Sequence, residues 1–371
     1  MDNNPSRPQW SERYPNLSRR GLLRAGGLGL TGAGASLLFG CGDDEKPFDT
    51  SGPLETTRIR TFASDQTICA SPMYLSREFL GQEGFTDVQT FPWTGEIYQD
   101  VADGKVDIAI DFGLILVQQM DAGLHLKALA GVHAGCYEVF AREGIATIGQ
   151  LDGKKIAHDE TIGPGFIATI LRWVGIPTDE RTLVGYPAKQ LVAALANGEV
   201  DAVLATPPFN HRLRAAKVGH VVVSGTDDRP WAQYFCCMVY AGSDFVKKNP
   251  VATKRALRAF LKGADFIVRD PEGAARYLVE HKDTEDYDET LAELKHLNYN
   301  IWRTYDAEDS LRYFSLRMKD TGDIRGTPAQ IIKKNADWRF VDELKREMPM
   351  AFAPSSSRFG LDCTIGPVER A

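Results

Sequence analysis

Little in this chain marks a catalyst or a nucleic-acid binder. Seven histidines and six cysteines are scattered over 371 residues. None of the histidines stands at the close spacing with cysteine that marks a zinc motif, so no metal site is expected. There is no nucleophile elbow and no Walker loop. No catalytic residue and no cofactor are therefore expected. Lys and Arg number 43 against 50 Asp and Glu, a formal net charge of −7. That balance excludes nucleic acid as an expected partner, because phosphate binding needs a clustered basic surface. Long apolar runs are missing too. The most apolar stretch, Ala25 to Phe39, falls short of the roughly twenty residues that span a bilayer as a helix.

What precedes that stretch is more specific. Ser18-Arg19-Arg20-Gly21-Leu22-Leu23-Arg24 has the order of a twin-arginine export signal. At its far end Leu38-Phe39-Gly40-Cys41 resembles a lipoprotein cleavage box, with Phe39 an atypical occupant. The expectation is a periplasmic protein acylated at Cys41 and held at a membrane surface, with simple cleavage as the alternative. Gly42 to Thr56 is rich in Asp, Gly, Pro, Ser and Thr and reads as a flexible tether, so folded structure is expected from about Thr57. Cys69, Cys136, Cys236, Cys237 and Cys363 read as mostly buried thiols that act as small hydrophobes.

Beyond the tether the length suits two domains in a monomer. Short β-type runs alternate with helical patterns, the mark of βαβ units and a mainly parallel sheet. One unit occurs twice, as Val101-Ala102-Asp103-Gly104-Lys105-Val106-Asp107-Ile108-Ala109-Ile110 and as Leu195-Ala196-Asn197-Gly198-Glu199-Val200-Asp201-Ala202-Val203-Leu204. In each, a helix ends on Asp or Asn with glycine behind it, and a Val-Asp pair leads into an apolar strand. Two similar α/β lobes are the economical explanation. Residues 136–141 and 234–240 read as crossover strands that join the lobes. Lobe 1 is then 57–135 plus 241–371, and lobe 2 is 136–240 with both crossovers. Helical patterns at Val251–Val268, Pro271–His281, Tyr287–Lys295, Ala307–Thr321, Pro328–Asn335 and Val341–Glu347 form a tail expected to pack on lobe 1.

From about Arg58 to Met348 the chain resembles the solute-binding proteins of nitrate, taurine, aliphatic sulfonate and thiamine-pyrimidine-precursor importers. The resemblance is carried by Asn197-Gly198-Glu199-Val200-Asp201-Ala202, by Cys136 to Ala141 followed by Leu151-Asp152-Gly153-Lys154-Lys155-Ile156, and by Asp244-Phe245-Val246-Lys247-Lys248-Asn249-Pro250. It implies a periplasmic-binding-protein-like fold that closes on a small molecule without chemistry, delivering it to a permease driven by a separate ATPase. A related branch is a thiamine-pyrimidine synthase built on a histidine, a pyridoxal phosphate lysine and a cysteine-rich run. Only Cys236-Cys237 resembles the last of these, and neither His nor Lys occurs between Thr61 and Leu80. A binding subunit that feeds a sensor is a further alternative.

In open α/β sheets ligands lie at the carboxyl ends of strands. The loops there offer Asp65, Gln66, Trp93, Asp111, Phe112 and His133 on one lobe, with Thr161, Gly163, Gly165 and Thr206 on the other and Trp231 close by. Gly163-Pro164-Gly165 is either an anion site at a helix start or a tight turn. Asp65, Glu96 and Asp111 make the first side acidic, which fits a neutral, cationic or heteroaromatic ligand at least as well as an anion such as nitrate or a sulfonate.

Overall fold

The computed structural model describes residues 50–63, 68–179 and 181–348; Arg19, Arg20, Cys41, Asp65, Gln66 and Cys363 lie outside them. No helix among the described residues is long and apolar enough to cross a membrane.

Ten strands alternate with helices: β1 (Arg58–Ala63), β2 (Asp87–Pro92), β3 (Ile108–Phe112), β4 (Leu126–Ala134), β5 (Glu138–Ala141), β6 (Ile156–Asp159), β7 (Leu183–Tyr186), β8 (Ala202–Ala205), β9 (His220–Ser224) and β10 (Phe235–Gly242). β1 and β2 form a parallel pair, β3-β10-β4 a three-stranded sheet and β7-β6-β8-β5-β9 a five-stranded sheet. Laid side by side, the first two sheets repeat the strand order of the third. β5 and β10 hold the same place in the two lobes, each next to the strand that ends the repeated unit.

Two expectations change here. The sheets are mixed, because β10 runs antiparallel to β3 and β4, and β5 to β8 and β9. β5 and β10 are each entered from the other lobe, at the end of the sheet where the neighbouring strands finish, so each runs back against those neighbours. β10 also belongs with β3 and β4, not with the second lobe. The chain therefore crosses between lobes at Gly135 to Tyr137 and again between β9 and β10. The two crossings touch: Gly225 N donates to Tyr137 O at 2.9 Å. Gly135 has φ +75°, and a Cβ on it would lie 2.6 Å from Thr226 Cα, so only glycine fits.

The repeated unit has the same construction in both copies. Asp103 and Asn197 end their helices at φ −80°, and Gly104 and Gly198 follow at φ +71°. Asp107 N donates to Arg60 O at 2.9 Å, and Asp201 N to Lys155 O at 2.8 Å. The carboxylates accept in return, Asp107 from Arg60 N at 2.8 Å and Asp201 from Lys155 N at 2.9 Å. Each also takes a guanidinium: Arg60 Nη2 at 2.6 Å from Asp107, and Arg142 Nε at 2.7 Å from Asp201. The Val-Asp pair thus buries its valine and uses its aspartate to tie one strand to the start of its neighbour.

The tail helices are Pro250–Arg269, Pro271–Glu280, Tyr287–His296, Ala307–Thr321, Pro328–Asn335 and Arg339–Glu347. The first packs on the helices Ser71–Leu75 and Arg77–Leu80 of lobe 1. The helix Tyr287–His296 also grips the other lobe, where Arg212 Nε and Nη2 each donate to Glu289 at 2.8 Å. The expected tether is shorter than its sequence suggested. Glu55 accepts from Val251 N at 2.9 Å and Ala252 N at 3.0 Å, capping a helix start. Thr50 donates to Glu343 at 2.6 Å.

Candidate ligand-binding cleft

Strand ends from both lobes surround a cavity of about 200 Å3. β3 ends in Asp111 and Phe112, and the helix behind it adds Ile115 and Gln119. Trp93 follows β2, and Tyr98 projects from the helix Ile97–Ala102. From the other side come Asp159 and Thr161 after β6, and Thr206, Pro207 and Phe209 after β8. The wall is aromatic with a few polar groups, the usual make-up of a small-molecule site.

Asp111 dominates its electrostatics. Burial pushes its carboxyl up to about 7, tempered by the Phe112 N–H, 2.7 Å away, and by the Tyr98 hydroxyl. It therefore changes charge near neutral pH. Tyr98 stacks on Tyr240 with centroids 5.1 Å apart and donates to Phe112 O at 3.1 Å. Burial holds both phenols well above their ordinary range, so both remain neutral. Asp159 is committed to its own turn, accepting from Thr161 N at 2.9 Å and Thr161 Oγ1 at 2.8 Å. Among the described residues no Lys or Arg lines the cavity, and Ser64 to Thr67, outside them, contains neither.

Five of the expected residues meet here: Trp93, Asp111, Phe112, Thr161 and Thr206. Gly163 and Gly165 line a separate hollow with Arg172 and Asp323 instead. A Cβ on Gly165 would lie 2.8 Å from Leu114 Cδ2, so this glycine lets the helix Gly165–Trp173 approach the facing helix Gly113–Asp121. Gly165 thus serves close packing, and the loop stands apart from the cavity. Trp231 is buried on the second crossing and does not line the cavity. Asp65 and Gln66 lie outside the described residues. Tyr98, Ile115 and Asp159 were not anticipated: Tyr98 and Ile115 sit on helices, and Asp159 ends β6, two residues before Thr161. Phe209 closes the loop Thr206-Pro207-Pro208-Phe209 after the repeated strand, as its sequence position led us to expect.

His133 is completely buried beneath the cavity, among thiols. Its side chain, Cys69, Cys136 and Cys237 bring four donor atoms within 4.8 Å of one another. In sequence only His133 and Cys136, three residues apart, hint at this cluster, and the expectation of no metal-ligating group is revised accordingly. All four described cysteines beyond the tether are free and buried. Hydrogen bonds from Cys136 and Cys237 hold the Cys69 thiol well below its usual range, whereas burial pushes Cys136, Cys236 and Cys237 up. Cys69 also lines the cavity.

The sequence model of the family described as NMT1/THI5 like matches residues 87–274, half of the chain. No curated protein sequence matches significantly. Among solved structures, the periplasmic nitrate-binding protein NrtA from Synechocystis PCC 6803 superposes with a TM-score of 0.66 at 15% identity, over 80% of this chain and 90% of that one. The alkanesulfonate-binding protein SsuA from Xanthomonas axonopodis pv. citri, bound to MOPS, gives 0.62 at 13% identity over 75% and 98%. The aliphatic sulphonate-binding SsuA from Escherichia coli gives 0.61 at 15% identity over 74% and 96%. At these identities the likeness establishes the fold and leaves the solute open.

Proposed function

The chain belongs to the NMT1/THI5-like family, and from that premise we propose that it is the extracytoplasmic solute-binding subunit of an ABC-type importer. It captures a neutral or weakly basic heteroaromatic molecule, of the kind of a thiamine pyrimidine precursor, between its lobes. The observation that carries this choice of solute is the cavity wall: Asp111 titrates near 7, aromatic rings flank it, and among the described residues no Lys or Arg lines it for nitrate or a sulfonate. An anion would be desolvated there beside a carboxylate with no cation to offset the cost. A heteroaromatic amine offers N–H donors to Asp111 and a π-face to Trp93 and Phe112.

Capture stabilises the closed form by contact with both lobes. Trp93 and Asp111 would act from one side, Thr161 and Thr206 from the other. The synthase reading has less support, because no lysine lines the cavity among the described residues to bind a pyridoxal group. Export by the Arg19-Arg20 signal and acylation at Cys41 complete the proposal, placing the subunit at the membrane beside its permease. A thermal-shift panel of aminopyrimidines, nitrate, sulfonates and aromatic acids tests it. Binding adds about 2.7 kcal/mol at a hundredfold excess over Kd. Stabilisation by aminopyrimidines alone is expected, and stabilisation by nitrate or a sulfonate alone would refute the choice of solute.

A further inference from the structure

Beneath the cavity, four side chains from four separate segments converge. Cys69 precedes the helix Ser71–Leu75, His133 lies on β4, Cys136 on the first interlobe crossing and Cys237 on β10. All four are buried, and their donor atoms lie within 4.8 Å of one another, with the Cys69 and Cys237 sulfurs 3.9 Å apart. Tetrahedral zinc with Zn–S bonds of about 2.3 Å puts its sulfurs roughly 3.8 Å apart. The Cys69–Cys237 edge already has that length.

Two further observations point to a ligand. His133 is fully buried, its Nδ1 lies 3.3 Å from Ala134 O, and its Nε2 has no hydrogen-bond partner. That is the arrangement of a metal-bound imidazole, one ring nitrogen held by a carbonyl and the other left to donate its lone pair. Cys136 adopts φ +89°, a backbone conformation that a non-glycine residue rarely holds. Such strain concentrates at functional sites, and here it brings a thiol of the crossing to the cluster.

We propose that Cys69, His133, Cys136 and Cys237 form a zinc(II) site that pins the first interlobe crossing to lobe 1 beneath the ligand cavity. Three thiolates and one imidazole are a closed set typical of structural zinc, and thiolates select this ion over hard cations. Binding releases the thiol protons to solvent as the Zn–S bonds form, with no change of oxidation state. The site is independent of the solute above it and holds whether or not that assignment does.

The test uses the full chain, purified under reducing conditions. Elemental analysis after zinc(II) loading and gel filtration is expected to find one zinc per chain. Cobalt(II) in its place is expected to give thiolate-to-metal charge-transfer absorption together with tetrahedral d–d bands. Cys237→Ser and His133→Ala should each weaken zinc binding at least roughly tenfold, read by competition with a chelating dye. The Cys236 sulfur lies 2.8 Å from that of Cys136 but does not belong to the ligand set, so Cys236→Ser should keep one zinc per chain. Because the cobalt spectrum is read on the unmutated protein, a misfolded variant does not blunt the test. A reduced chain that takes up neither metal, a cobalt spectrum without thiolate bands, or loading with copper or iron but not zinc would overturn the proposal.

Discussion

The two copies of the repeated unit match through their turns and part company at their strand ends. Val101–Ile110 and Leu195–Leu204 share the helix end, the left-handed glycine and the aspartate bridge, with hydrogen-bond lengths agreeing to 0.1 Å. Beyond them, one strand runs into Asp111-Phe112-Gly113 and the other into Thr206-Pro207-Pro208. Both endings face the same cavity. The shared part is scaffold, and the divergent part is where a solute would be told apart, as strand-end loops on a rigid sheet allow.

The copies differ in one structural respect, which gives the largest expected effect. Asp107 is 2% exposed and holds Arg60 by backbone and side chain together. Asp201 is more open, and its arginine comes from a different strand end. Urea unfolding should therefore find Asp107→Ala destabilised by about 3 kcal/mol, the range for removing one partner of a buried pair. Asp201→Ala should cost about 1 kcal/mol. Equal costs would break the distinction between a buried and an open bridge.

Next comes the strand end itself. Asp111→Asn should weaken binding of a basic heteroaromatic solute by about 2 kcal/mol, roughly thirtyfold, while leaving the fold no less stable at pH 8. A stability loss without a binding loss would return Asp111 to the scaffold. The pH dependence is of similar kind. Asp111 faces the phenols of Tyr98 and Tyr240 and the Cys69 thiol. With its carboxyl at about 7, affinity for a neutral solute that donates N–H bonds to it should rise up to roughly tenfold between pH 6 and 8, as the carboxylate ionises. The same raised value acts on stability with the opposite sign. Its contribution is full below the unfolded value near 4 and is lost as pH climbs through about 7, so unfolding titrations of the unliganded chain should show Asp111→Asn flattening that decline. The smallest effect tests the likeness of the copies: Gly104→Ala and Gly198→Ala should each cost about 1 kcal/mol, and a large difference would mean that the equal φ values conceal unequal surroundings.

Much of the architecture was legible because it is written in local pattern. The Val-Asp units, the caps and the amphipathic tail helices depend on residues close in sequence, and they stand within a few residues of where periodicity put them. β4 escaped notice because Leu126–Ala134 is buried on both faces and lacks alternation. The antiparallel placement of β5 and β10 is a matter of long-range topology, with no local signal. The cavity was half legible. Strand-end rules find Asp111 and Thr206, but they do not say that the Tyr98 ring reaches over from a helix, nor that Gly165 serves packing. The thiol cluster was largely illegible, since Cys69 and Cys237 are 168 residues apart and meet only in the fold.

Isothermal calorimetry of an aminopyrimidine against the full chain and against Asp111→Asn, at pH 8 and with nitrate and an alkanesulfonate alongside, tests the central claim most directly. The account predicts saturable 1:1 binding of the aminopyrimidine, roughly thirtyfold weaker in the variant, and no heat from either anion. Tight binding of an anion that is indifferent to Asp111→Asn would contradict it.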